Sequence, residues 1–193
     1  MKPITLTTER LILRVLEDRD IDAVYAACQD PEIPRWTPVP SPYHREHAET
    51  FVRDASANGW RDDTMYNFGV FTHDGALVSS MGLVRLAALY TSERQAELGY
   101  WTAKEQRGHG YTVEAARAVI GWAFDGLGVE RLEWIAEKGN VASRAVAERL
   151  GFTVEGTLRG KIVHRGTRRD AWLGALLPSD WERASRTPYL PAP

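Results

Sequence analysis

The chain has 193 residues, 44% of them apolar and 26% charged, with a formal net charge of −2 and a single cysteine. That length suffices for one domain with a full core, and one thiol excludes an internal disulfide, as in a reducing cytoplasm. The slightly acidic balance argues against general nucleic-acid binding, no apolar run approaches the ~20 residues that cross a bilayer, and the first nine residues lack a signal peptide's apolar centre.

These properties predict a cytoplasmic protein with a small-molecule or peptide partner. No linker, repeat or low-complexity stretch divides it, so a single domain over 1–193 is expected, with a C-terminal tail over about 182–193.

In chain order, Leu11–Val15 is apolar and β-branched enough for a first strand. Asp18 or Asp20 can cap a helix whose residues Ile21, Val24, Tyr25 and Cys28 share a face. Prolines crowd the stretch from Asp30 to Pro42, which predicts a loop carrying Trp36. Ser41-Pro42 resembles a helix start, Ala48, Phe51, Val52 and Ala55 form a buried stripe, and Asn58-Gly59 resembles a stop.

Strands over Tyr66–Thr72 and Leu77–Leu86 meet at a turn, His73-Asp74-Gly75, and another strand covers Gln95–Thr102. A long helix from Val113 carries Ala116, Ile120, Ala123, Phe124 and Leu127 on one face and stops at Gly126-Leu127-Gly128. Arg131–Ala136 is a strand, Asn140 caps a short helix through Leu150, and Thr153–Val163 with Arg168–Leu176 reads as a hairpin. The order predicts a mixed α/β sheet flanked by helices and antiparallel in its middle.

The segment Arg107-Gly108-His109-Gly110-Tyr111-Thr112 joins a strand to the long helix. Glycines there let backbone N–H groups approach an anion such as a pyrophosphate, which points to a nucleotide-type cofactor. The plain alternative is a helix entry that needs flexible residues. No Gly-Lys-Ser/Thr follows, which excludes a Walker loop, and Glu114 or Ala115 stands where a Rossmann fingerprint needs its third glycine.

The same segment matches the Arg/Gln-x-x-Gly-x-Gly/Ala signature of the GNAT N-acetyltransferases, with Thr112 in the last small position. Gly99-Tyr100-Trp101, Asn140-Val141-Ala142-Ser143, Leu150-Gly151-Phe152, the opening Thr8-Glu9-Arg10-Leu11 and the closing Asp180-Trp181 add to the likeness. The chain thus resembles that superfamily over nearly its whole length, and within it the ribosomal-protein N-terminal acetyltransferases.

The resemblance implies a GNAT fold and acetyl-CoA as co-substrate, with no metal. Its pyrophosphate would meet the backbone of Arg107, Gly108, His109, Gly110, Tyr111 and Thr112, and its acyl arm would lie near Trp101, Thr102, Asn140 and Ser143. The implied acceptor is a protein or peptide N-terminal amine. A small-molecule amine and a non-catalytic acyl-CoA-binding domain are the alternatives, and a homodimer is compatible with the sequence.

An amine must lose its proton before attacking a thioester, and Glu97 on the strand before the glycines can take it if burial raises its pKa. A solvated surface charge is the bland account of Glu97. Asn140 is a helix cap in any case. The resemblance places Ser143 near the CoA sulfur as a donor to the departing thiolate. Most relatives in the wider superfamily use a tyrosine one turn later, where this chain has Ala147.

Trp36, Trp60 and Trp101 are candidates for an acceptor pocket, while Trp122 and Trp134 read as packing residues. His44 and His47 lack a third metal ligand, and Cys28 sits on an apolar stripe.

Overall fold

The computed structural model describes residues 1–192. Its strands are β1 (Leu6–Thr7), β2 (Leu11–Arg14), β3 (Tyr66–Thr72), β4 (Leu77–Val84), β5 (Gln95–Thr102), β6 (Arg131–Glu137), β7 (Thr153–His164) and β8 (Thr167–Leu176). They form one eight-stranded sheet in the order β1-β2-β3-β4-β5-β6-β8-β7. All neighbours are antiparallel except β5 and β6, which run parallel.

Side chains alternate across a strand, so each face of the sheet takes its own cover. Tyr66, Phe68 and Val70 of β3, Met81 and Leu83 of β4 and Leu98 of β5 enter the larger core. Helix α5 (Tyr111–Asp125) packs there through Ala115, Ala116, Val119, Ile120 and Ala123, and α6 (Val141–Leu150) through Ala147 and Leu150.

The opposite face carries Phe71 and Trp101 into a second cluster. It is covered by α1 (Ile21–Ala27), α2 (Glu32–Trp36) and α3 (Arg45–Thr50), which supply Ile21, Val24, Ile33 and Ala48, together with Leu16, Cys28 and Val52 from the segments next to them. A π-type turn, Phe51–Ser56, carries α3 on into α4 (Ala57–Arg61).

Several expectations need correction. The proline-rich stretch does contain a helix, the single turn α2, because Pro34 lies in the first turn, where backbone N–H groups have no intrahelical acceptor. The next helix starts at Arg45 rather than Pro42 and runs through Asn58-Gly59. Gly59 serves close approach instead of termination: a Cβ there would stand 2.7 Å from the Met65 carbonyl oxygen.

The long helix begins two residues earlier than expected, at Tyr111, and β4 ends at Val84. In the tail, Ser185, Arg186 and Thr187 fold back to hydrogen-bond the Glu130 carboxylate. Of the tail expected over 182–193, Pro193 lies outside the described residues.

The opening that positions the site lies between β5 and β6. Their register holds from Gln95 opposite Arg131 to Glu97 opposite Glu133 and then stops. Beyond it β5 stays paired with β4 up to Thr102 opposite Ser79, while β6 stays paired with β8 up to Glu137 opposite Ala171. Each strand is satisfied on its outer side, so the two diverge without losing their ladders.

Candidate active site

The glycine segment sits at the open end of β5. Gly108 and Gly110 have φ of 81° and 78°, the left-handed region that glycine enters without strain, and Gly110 is the N-cap of α5. The first helical bond runs from the Glu114 N–H to the Gly110 carbonyl at 3.1 Å. Among the described residues, the N–H groups of Gly108 through Val113 have no protein acceptor. Six consecutive free donors at the positive end of a 15-residue helix fit a pyrophosphate.

Neighbouring side chains brace this cradle. Glu114 accepts from Thr8 Oγ1 at 2.6 Å and from Arg10 Nε at 2.6 Å, and Arg10 Nη1 also donates to the His109 carbonyl at 3.1 Å. These contacts hold the Glu114 carboxyl below its usual pKa against the opposing effect of burial, its largest single influence. The Arg10 guanidinium lies 4.6 Å from the Tyr111 ring centre, and His109 stacks on the same ring.

Arg107 is committed elsewhere: it donates to the Thr102 carbonyl and pairs with Asp30, shaping the loop rather than reaching out of it. Thr112, the mismatch in the signature, shares a 2.9 Å hydrogen bond with the Thr102 hydroxyl and so ties α5 to β5.

Glu97 stands where the two strands part. Its side chain is 13% exposed, and Arg85 Nε lies 2.8 Å from Oε2 but off the N–H direction, so the contact is an ion pair and not a hydrogen bond. Burial raises the Glu97 pKa, Arg85 and Lys161 pull it down, and Glu133 across the register pushes it up. The net shift is upward, the direction a base for an amine needs. Glu97, Gly99 and Trp101 share one face of β5; Leu98, Tyr100 and Thr102 share the other.

On that other face, α6 presents Ser143 in its first turn. Asn140 Oδ1 accepts from the Ser143 N–H at 3.1 Å, the expected cap. The Ser143 hydroxyl accepts from Trp134 Nε1 at 3.0 Å and lies 3.1 Å from Tyr100 Oη, which is also 3.2 Å from the Ser143 carbonyl oxygen. Glu97 and Ser143 therefore flank the same opening from opposite faces of the sheet. A group held in the opening can be approached from one face while a leaving group departs on the other.

The β5 edge also supplies donors. Ala103 N–H bonds to the Val78 carbonyl, so by antiparallel alternation Trp101 uses its N–H on β4 while those of Tyr100 and Thr102 face the opening. Arg107 reaching the Thr102 carbonyl from outside the ladder agrees with that alternation.

The tryptophans divide. Trp101 packs against the second cluster, on the Glu97 face. Trp36 is half-buried on α2, under the Arg35 guanidinium and about 4.0 Å from where a side chain on Gly139 would begin, so it borders the turn into α6. Trp60 does not join them. It is 0% exposed, stacked among Tyr66, Phe68 and Trp122 in the larger core, with Nε1 donating to the Asn67 carbonyl.

The expectation of a pocket role for Trp60 is thus corrected. Its place near a helix end suggested exposure, but the helix continues and turns it inward. The sequence alone assigns no role at the site to Tyr100, Arg85, Arg10 or Glu114, and Trp134 reads there only as packing. Alternation along β5 is the one signal that separates Tyr100 from Glu97. The remaining contacts join residues far apart in the chain and leave no local mark.

Residues 10–153 match the family model described as "Acetyltransferase (GNAT) domain". A Bacillus subtilis (strain 168) protein named "Putative ribosomal N-acetyltransferase YdaF" is 32% identical over 186 residues, covering 90% of this chain and 94% of that one. The [Ribosomal protein uS5]-alanine N-acetyltransferase of Escherichia coli (strain K12) is 28% identical, covering 92% and 93%. Mycobacterium smegmatis RimJ, solved in complex with CoA-disulfide, superposes with a TM-score of 0.81 at 21% identity over 95% of this chain and 93% of that one, a likeness of fold.

Proposed function

This chain belongs to the GNAT acetyltransferases and is an N-acetyltransferase, and we propose that its acceptor is the N-terminal amine of a protein or peptide. The observation that carries the proposal is the opening between β5 and β6, with six free N–H groups at one end and a buried, pKa-raised carboxyl on its rim. Relatives along nearly the whole chain are named for ribosomal proteins, which supports a polypeptide acceptor.

Acetyl-CoA, when bound, supplies an activated thioester. The N–H groups of Gly108 to Val113 hold its pyrophosphate, and the N–H groups of Tyr100 and Thr102 on the open edge of β5 polarise the thioester carbonyl. Glu97 accepts the acceptor's proton, directly or through one water. An α-amine has an ordinary pKa of about 7.7–8.0, against about 10.4 for lysine, so a carboxylate base faces a smaller gap with an N-terminus. The amine attacks from the Glu97 face without an acyl-enzyme, and Ser143 donates to the departing sulfur from the other face. Trp36 and Trp101 border the acceptor's approach.

The proposal is tested by release of free CoA thiol from acetyl-CoA on a panel of peptides with free N-termini, the same peptides with blocked N-termini, and small amines. Turnover of free-N-terminus peptides that disappears on blocking is expected. Turnover confined to small amines would move the acceptor to that class, and no thiol release from any acceptor would sink both assignments.

A further inference from the structure

The Ser143 hydroxyl is held by two side chains, Tyr100 and Trp134, whose polar atoms hydrogen-bond to no residue but Ser143 among the described residues. An indole N–H can only donate, so Trp134 fills one lone pair of Ser143 Oγ at 3.0 Å. Tyr100 Oη lies 3.1 Å from that same oxygen and 3.2 Å from the Ser143 carbonyl. Two arrangements of protons satisfy these distances. In one, the phenol donates to the carbonyl and the Ser143 hydroxyl donates to the phenol.

In the other, the phenol donates to Oγ, both lone pairs are filled, and the Ser143 proton must point away from both partners. Ser143 is only half-buried, and among the described residues its hydroxyl has no third hydrogen-bond partner, which leaves that proton free for a group in the opening. Burial pushes the Tyr100 phenol up to about 12, with Ser143 and Trp134 pulling the other way, so it stays a donor at neutral pH.

We propose that Tyr100 and Trp134 are positioning residues that turn the Ser143 hydroxyl into a dedicated donor aimed at a sulfur anion in the opening between β5 and β6. The proposal rests on the CoA sulfur lying beside Ser143, as in the function proposed above. As the N–C bond forms, the C–S bond breaks with its electron pair on sulfur, and the amine proton passes towards Glu97. Ser143 keeps its proton and shares it with the thiolate. Switching from the first arrangement to the second takes two hydroxyl rotations and moves no heavy atom. This accounts for a departing thiolate at a site with Ala147 in place of a tyrosine.

The test uses the full chain saturated with CoA and needs no acceptor. The rate at which iodoacetamide alkylates the bound thiol is followed against pH by mass, in wild type, Tyr100→Phe and Trp134→Phe. Cys28 stays out of the measurement, because it is buried and its thiol is pushed up to about 12. A free thiol titrates near 8.5, and the bound thiol of the wild type is expected below that value.

Each variant should move the titration back up by about one unit, a tenfold smaller thiolate fraction at neutral pH, with CoA affinity changed less than about threefold. Tyr100→Phe keeps the ring and its packing, so it decides the matter alone if Trp134→Phe fails to fold. An unmoved titration in Tyr100→Phe overturns the proposal. A wild type that binds CoA with an unperturbed thiol overturns it too and leaves acetyl transfer standing, whereas a wild type that does not bind CoA overturns both.

Discussion

At the scale of single residues, Glu97 shows how the role of base proposed for it works against stability. Its folded pKa is raised, so the native state holds the proton more tightly than the unfolded chain does. As pH rises through the ordinary glutamate value of about 4.3 towards the raised one, the unfolded state releases its proton first and stability falls. Glu97→Gln removes that penalty.

The variant should melt higher than wild type at pH 7–8, with the gain shrinking as the pH drops below about 4, where both side chains are neutral. Its turnover should fall about a hundredfold or more, the usual worth of a general base, with CoA affinity unchanged. A melting curve and a turnover that both match wild type would return Glu97 to an ordinary surface charge. Spacing placed this residue correctly on its strand. Its raised pKa could not be read there, because it is set first by burial in the folded chain and then by the charges of Arg85, Glu133 and Lys161, which come from three other parts of the chain.

At the scale of elements, the strand-to-helix junction was legible and its bracing was not. The glycines at 108 and 110 announce a backbone of positive φ in any context, since few other residues adopt it cheaply. A Cβ on Gly108 would meet open space within 4 Å, so Gly108→Ala introduces backbone strain and a methyl group facing the cradle, with no clash inside the protein. The expected result is a loss of CoA affinity of about tenfold or more by titration calorimetry, with a melting temperature only a few degrees lower. Equal CoA affinity in wild type and variant would remove the segment from cofactor binding.

The helix from Arg45 to Arg61 is the instructive miss. Asn58-Gly59 has the composition of a terminator, yet Gly59 is small because Met65 packs against it. A glycine in sequence does not say whether it frees the backbone or makes room.

At the scale of the whole molecule, the second layer is fastened to the sheet by a buried acid. Glu137 at the end of β6 is 6% exposed and accepts from both terminal nitrogens of Arg35 on α2, at 2.9 and 3.2 Å, while Arg165 on the β7–β8 turn donates to the Pro34 carbonyl. Arg35 holds the Glu137 carboxyl below the usual glutamate range, so this contact stabilises the fold above that range and is lost as pH falls through the depressed value. Arg35→Ala should therefore lower the melting temperature at pH 7 by several degrees, with the difference from wild type disappearing on acidification below about pH 4. A difference that stays constant with pH would mean that Arg35 acts through packing on Trp36 alone.

Local pattern was enough for the order of most elements, the position of the glycine segment and the place of Glu97 on its strand, while Ser143 became a candidate through the family resemblance. Hydrophobic period, glycine and cap residues are local properties that need no partner to be recognised. Tertiary packing was needed to show that β5 and β6 part after Glu97, that Ser143 is gripped by Tyr100 and Trp134, and that Trp60 is core. The physical reason is common to all three: strand divergence, hydroxyl orientation and side-chain burial are set by which distant segments pack together, and no spacing along one segment encodes its neighbour.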